Sequence, residues 1–383
     1  MKTASCDFER LYSAGGIYEQ LPSNGASIEV LGKWLGEVYP GYSYPRALPV
    51  HVLSTDASVE ETLRQSYAAF NERFTLGPRT GIFELNDVVL YDRTLYAIVS
   101  PGELVSVFET DREVDRPWKS DLEPVLLKNA RRATDPDMQY VYFSSVGSTN
   151  YGHWIVDDLT RAKAVLKGPW RDGKVAVLLD RYFTLMDDMR AQSLGALLTD
   201  GPRGEMVFID KDVPYLFDRL YYVSPSSYPP VLKCPDGVRF LHDRLNLPAE
   251  ESPKRIFLNR TASWRNLLNQ KEVSEFLAAF SFVTVSLGFA TMTFEEQRRL
   301  FANAEVVIGV SGAAMVNTLF CPPATKVIYL AGEGFVDPWY WDLAAIKGHE
   351  YSVCFGTPWK PEAPNFSSFR IEEKHLSTIV EWF

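Results

Sequence analysis

The amino-acid sequence predicts an α/β fold: two doubly wound domains facing a cleft, with a β-rich amino-terminal extension. Three observations predict it. From residue 139 onward, short apolar runs alternate with stretches of helical periodicity, and strands spaced by helices imply crossover connections and a parallel sheet. The 383 residues exceed the length over which one core comfortably grows, so two domains are expected. A polar, proline-bearing stretch without periodicity, residues 246–254, interrupts the alternation and reads as a linker. The predicted domains are therefore residues 1–248 and 249–383.

The elements follow in order. Residues 81–85, 88–91 and 95–99 are short apolar runs, separated by Asn86-Asp87 and Asp92-Arg93, which read as tight turns of a β-meander. This β-rich segment, about 80–110, is expected to form a lid or platform on the first domain. Strands are expected at 140–143, 174–179, 206–209 and 220–223. Helices are expected at 153–166, through Leu185, Met189 and Leu194, and at 238–245. The second series places strands at 255–258, 282–285, 306–310, 326–330 and 351–354. Thr293 and Glu296 have capping-box spacing, opening a helix that buries Leu300 and Phe301. Residues 375–383 look like a terminal packing helix.

Composition sets outer limits on function. A net charge of -10 argues against a duplex nucleic-acid partner, which demands a phosphate-neutralising surface. The first ten residues hold no apolar leader, and no window approaches the eighteen or so apolar residues of a spanning helix. Cys6, Cys234, Cys321 and Cys354 are scattered, which fits a reducing compartment better than a disulfide framework or a zinc site. A cytoplasmic placement is expected, with peripheral membrane association as an option.

In an open parallel sheet, ligands collect beyond the carboxyl ends of the strands. Residues 259–260, 286–288, 311–314 and 332–334 lie there, the last bringing Glu333 to the candidate site. The turn at 311–314 has the chemistry for an anion. Gly312 lets backbone approach a ligand, Ala313 and Ala314 keep the space clear, and the following helix opens with unpaired N–H groups. Ser311 either caps that helix or donates to a phosphate oxygen. Arg260 follows directly on the first strand and Arg265 shares its loop, so two guanidinium groups are available to a diphosphate. The plain alternatives are close helix–sheet packing for the turn and solvated surface charge for the arginines. Neither a dinucleotide fingerprint nor a P-loop is present.

A second constellation lies on the helix after the first strand of the alternating series. His153 and Asp157 are four apart and share a helical face, as do Asp157 and Arg161. Asp157 is either a general base or the group that orients the imidazole of His153. The plain alternative is an Asp157–Arg161 surface pair with His153 as a packing residue. Asp158 points to another face and is read as solvated, while Tyr151 and Trp154 either stack on a sugar or fill the core. Asp135 and Asp137 form a formal DxD, read as a surface turn.

Three segments together are similar to glycosyltransferase family 61, the DUF563 group. They are Asn150, Tyr151, His153, Trp154, Asp157, Leu159 and Arg161; then Asn259, Arg260, Arg265 and Asn269; then 294–297 with Leu300, Phe301, Ala304, Gly312, Ala313, Asn317 and Phe320. The resemblance implies a GT-B-like arrangement of two Rossmann-type domains and an inverting transfer that needs neither metal nor other cofactor. It implies donor-side roles for Arg260, Arg265, Gly312, Ala313 and Asn317, beside Ser311 and Glu333, and catalytic roles for His153 and Asp157. The implied partners are a nucleotide-sugar donor and a glycan or glycolipid acceptor, in surface or capsular polysaccharide synthesis. The alternative is a non-catalytic nucleotide-sugar or glycan-binding subunit of such an assembly. Three departures stand out: Ser311 for the family's usual His, Gln270 for Glu, and Thr160 for Pro.

Overall fold

A computed structural model of the chain describes residues 2–3 and 25–383, apart from 56, 74–75, 102, 124, 134, 136, 171–173, 202–203, 229–231, 249–251, 288–290 and 364. The chain divides into two compact units, residues 1–43 with 76–228, and residues 44–75 with 229–383. This differs from a single break within 246–254. Helix Pro235–Leu245 packs in the second unit, where the Leu245 carbonyl accepts from Arg298 Nε at 2.6 Å.

The first unit is built around one long strand, Thr80–Tyr91. Asn86-Asp87 is therefore not a hairpin turn. Asp87 enters the left-handed region (φ 50), which aspartate tolerates better than most residues, and the strand runs on in register with Tyr215–Val223. Asp92-Arg93 is the turn: both residues have positive φ (38° and 65°), and Tyr91 pairs with Thr94 across the hairpin.

Strand Tyr215–Val223 joins two halves of one sheet, running antiparallel to Thr80–Tyr91 and parallel to Met138–Tyr142. Lys174–Asp180 and Gly204–Ile209 extend the parallel half. The β-rich segment is thus part of the sheet rather than a lid, and the sheet is mixed rather than doubly wound throughout. Phe83, Leu85, Val88, Leu90, Tyr142, Leu178 and Leu220 bury one face in a common core.

The second unit carries a parallel sheet in the order Val283–Ser286, Arg255–Asn259, Val306–Val310, Lys326–Gly332, Glu350–Pro358. Among these five, the chain order is 2-1-3-4-5, so the winding reverses between Arg255–Asn259 and Val306–Val310. Phe257, Ile308, Val310, Ile328 and Leu330 pack with Val273 and Leu277 of helix Gln270–Ala278 and with Leu376 and Ile379 of the terminal helix Glu373–Val380. Thr293 and Glu296 form the expected capping box on helix Phe294–Phe301.

Residues 44–75, expected in the first domain, complete this second unit. Strand Val52–Leu53 pairs in parallel with Val353 and Cys354. A buried charge cluster holds the insertion in place. Asp342 accepts from the Tyr44 hydroxyl at 2.8 Å and from the Lys233 backbone N–H at 2.8 Å, while Arg46 and Lys233 each bring a cationic nitrogen within 3.5 Å.

The histidines give this fold an acid limb. Burial is the first cause that lowers the pKa of His51, His242, His349 and His375, and His349 is pushed down to about 3. The folded state therefore prefers these rings neutral, while the unfolded chain takes up protons below the usual histidine value near 6.5. Stability is present above that pH and is lost as pH falls toward 3. His349→Gln is expected to flatten this limb, by about 1.4 kcal/mol per pH unit at most. Denaturant melts between pH 7 and pH 4 measure it; an unchanged slope would refute the assignment.

Candidate functional site

In the first unit, the helical segment beginning at Tyr151 is not a uniform α-helix. An α-turn at Tyr151–His153 opens into a π-turn at Trp154–Asp158, followed by a 3₁₀ turn at Leu159–Ala162. Such π-turns often mark functional sites. The Asn150 side chain caps the opening by accepting from the Gly152 N–H at 2.9 Å. The loosened backbone is satisfied from outside: Ser226 Oγ donates to the Asp157 carbonyl at 3.2 Å and the Tyr39 hydroxyl to the Thr160 carbonyl at 2.8 Å.

His153 Nδ1 lies 2.6 Å from Asp157 Oδ2. The His153 side chain is 34% exposed and that of Asp157 only 5%, so the imidazole fronts solvent while the carboxylate stands behind it. Asp157 Oδ1 is buried without a hydrogen-bond partner. A carboxylate on Nδ1 fixes the ring's orientation and leaves Nε2 as its basic nitrogen.

Asp158 and Arg161 depart from the pattern expected of a uniform helix. Asp158 is buried, not solvated, and it pairs with Arg161 at 3.2 Å, so the alternative of an Asp157–Arg161 surface pair is not formed. The wider π-turn shifts the helical phase, which carries Asp158 inward. Its Oδ2 also accepts from Ser145 Oγ at 2.9 Å and Ser148 Oγ at 2.6 Å, while burial raises its pKa against the opposing pull of Arg161. Those serines fasten the loop whose Gly147 backs His153: a Cβ there would meet the His153 Cβ at 3.0 Å. Trp154 is core, its Nε1 donating to Ser193 Oγ at 2.8 Å, and Tyr151 is buried. Asp135 accepts from the Asp137 N–H at 3.0 Å, and both are exposed; Pro136 lies outside the described residues.

In the second unit, Arg260 and the Ser311-Gly312 turn lie at the carboxyl ends of the two strands where the winding reverses. Arg260 lies over Gly312, where any side chain would collide with its guanidinium. Its Nε donates to the Trp264 carbonyl at 3.2 Å. Burial and then the charge of Arg265 lower the Arg260 pKa, so two cations are held close together. Among the described residues, no carboxylate forms an ion pair with either. Arg265 adopts left-handed backbone (φ 57), its guanidinium 4.8 Å from the Phe335 ring centre, and its Nε is buried without a hydrogen-bond partner. Non-glycine residues hold such conformations only where their surroundings enforce them.

Two tyrosines complete the turn. The Tyr329 hydroxyl donates to Ser311 Oγ at 2.6 Å and the Tyr340 hydroxyl to the Gly312 carbonyl at 2.5 Å. Ser311 is buried and does not cap the next helix; Gly312 occupies the cap position of the 3₁₀ helix Ala313–Phe320. A trans peptide directs its N–H opposite its C=O, so the bond from Tyr340 turns the Ala313 N–H away from that hydroxyl. Ala313 and Ala314 remain partly exposed.

Two expected donor contacts are not placed for direct contact. Asn317 is 0% exposed, its amide nitrogen donating to Gln297 Oε1 and the Ala314 carbonyl, both at 3.1 Å. Interhelix packing claims it. The Glu333 carboxylate accepts from the hydroxyls of Ser54 and Thr55, residues of the insertion. Asn269 is likewise structural, bonded both ways to the Ile371 backbone at 2.8 and 3.2 Å. Among the described residues, no three His, Cys, Asp or Glu side chains gather to hold a metal ion. Nor is any described helix long and apolar enough to cross a membrane.

Residues 151–328 match the family model described as Glycosyltransferase 61. Two relatives named EGF domain-specific O-linked N-acetylglucosamine transferase are similar over 116 residues, at 32% identity from Bos taurus and 31% from Gallus gallus. The matched stretch covers 28% of this chain and only 22% and 21% of those proteins. The chain is therefore similar to glycosyltransferase 61 over the segment 151–328. That segment includes the His153–Asp157 pair, both arginines and the Gly312 turn. Outside it lie Gly147, Ser145, Tyr340 and the whole insertion. Sequence reading missed Tyr329 and Tyr340, and the aromatic run after Asp337 signals only a capped helix.

Proposed function

We propose that this chain is a glycosyltransferase that binds the diphosphate of a nucleotide-sugar donor at the Arg260–Arg265 turn. The observation that carries this reading is the arginine pair itself. Two neighbouring cations have no ion-paired carboxylate among the described residues, and one of them, Arg260, lies over Gly312 at the point where the sheet's winding reverses. Like charges held together favour an anion that bridges them. The transfer proceeds with inversion. The acceptor oxygen attacks the anomeric carbon and its proton passes to His153 Nε2. The bond to the diphosphate breaks on the opposite side, and Arg260 and Arg265 offset the charge of the leaving group.

In the same reading the enzyme is GT-B-like and the arginine pair takes the place of a metal. The names of the relatives make N-acetylglucosamine the first sugar to test and add a protein hydroxyl to the glycan and glycolipid acceptors. A cytoplasmic role in surface polysaccharide synthesis, at the membrane periphery, belongs to the same reading.

A thermal-shift panel of nucleotide sugars tests the binding step. Arg260→Ala is expected to weaken the best ligand by about 10- to 100-fold, the range of charge-assisted hydrogen bonds, with the ligand-free melt unchanged. Transfer is expected to survive chelation by EDTA. Binding without transfer across a broad acceptor panel would favour the non-catalytic subunit, and unchanged binding by Arg260→Ala would remove the donor assignment.

A further inference from the structure

We propose that Trp264 and Phe366 form the platform on which the nucleobase of the donor stacks. This rests on the donor reading and specifies which part of the ligand the second unit recognises beyond the diphosphate. Trp264 lies in the loop that follows Arg255–Asn259, and its own carbonyl accepts from Arg260 Nε at 3.2 Å. Phe366 arrives from a loop a hundred residues later, after the Glu350–Pro358 strand. The two rings meet edge to face, with centroids 6.0 Å apart and planes at 90°. Both remain exposed, Trp264 at 45% and Phe366 at 66%.

The pair is not a floppy surface patch. Asn266 bonds both ways to the Ala262 backbone, at 2.9 and 2.6 Å, and its N–H donates to Ser368 Oγ at 3.2 Å. The Phe369 N–H donates to the Asn266 carbonyl at 3.0 Å and the Leu268 N–H to the Phe369 carbonyl at 2.7 Å. The Trp359 N–H donates to the Ser368 carbonyl at 2.8 Å and closes the second loop. An ordered scaffold therefore presents apolar rings to solvent at the ligand-collecting edge of the sheet.

What covers them follows from their neighbours. Arg260 and Arg265 demand an anion, and the Trp264 peptide touches Arg260 directly. A ligand that joins a flat ring to a diphosphate by a short covalent link is a nucleoside diphosphate. Stacking on an aromatic side chain accepts any base, so the platform adds affinity while edge contacts elsewhere select the base. A neutral acceptor sugar would satisfy the rings and ignore the cations.

The test compares nucleoside diphosphates with inorganic pyrophosphate on the full chain by calorimetry. The best of UDP, GDP, dTDP and ADP is expected to bind wild type at least 10-fold more tightly than pyrophosphate. Trp264→Ala with Phe366→Ala is expected to weaken that nucleotide by about 10-fold or more and leave pyrophosphate within 2-fold, so the preference collapses. Trp264→Phe restores most of it, and Trp359→Ala, another exposed tryptophan in the second loop, changes nothing. If the double variant keeps the preference, or raises only the KM for acceptor, the platform assignment is overturned while the donor reading stands. If wild type binds neither pyrophosphate nor any of the nucleotides, the donor reading falls and the platform with it.

Discussion

Replacing Asp342 with alanine is expected to destabilise the second unit by about 3–5 kcal/mol, the range for a buried ion pair that loses one partner. The Arg46, Lys233 and Asp342 side chains are all essentially removed from solvent. The alanine would remove the carboxylate that two buried cations share, and the Tyr44 hydroxyl and the Lys233 backbone N–H would lose their Asp342 acceptor. Burial raises the Asp342 pKa, and the charges of Lys233 and Arg46 oppose that rise. Denaturant melts give the loss directly. Replacing all three charged residues by apolar ones of similar volume is expected to recover much of it, because desolvation then disappears together with attraction. A loss under about 1 kcal/mol for Asp342→Ala would show that water reaches the cluster.

His153→Ala is expected to lower the transfer rate by about 10²- to 10⁴-fold, the usual contribution of a positioned general base. Donor binding is expected to remain, because the groups proposed to hold the diphosphate lie elsewhere in the chain. Asp157→Asn keeps an acceptor for Nδ1 but removes the charge behind the ring, so an intermediate rate loss is expected. A pH–rate profile separates the two roles. Asp157→Asn should move the limb that reports the base, while a merely structural change would lower the plateau alone. Wild-type turnover by Asp157→Asn would sink the orienting role, and near-wild-type turnover by His153→Ala would sink the base.

Much of the fold could be read in advance because its signals are local. The five parallel strands of the second unit were located within a few residues, since apolar runs of that length between helical stretches have few other readings. Thr293 and Glu296 formed the expected cap because that bonding spans three residues. The aspartates were harder. Asp158, expected in solvent, turns inward at a π-turn and takes Arg161, and no pattern in the sequence announces one. Asn317 belongs to a matching motif yet faces Gln297, which only the packing of two helices could reveal.

By itself, the sequence determined the alternation of strands and helices, the glycine at the turn, the two arginines beside it, and the four-residue spacing of His153 and Asp157. These depend on backbone geometry over a few residues. Tertiary structure alone decided that residues 44–75 complete the second unit and that the β-rich segment continues the first sheet. It also decided that Tyr329 and Tyr340 fasten Ser311 and Gly312, and that Phe366 stands against Trp264. The physical reason is the same in each case. Side-chain partners far apart in the chain are chosen by packing and by the need to satisfy buried polar groups, and local periodicity carries no record of that choice.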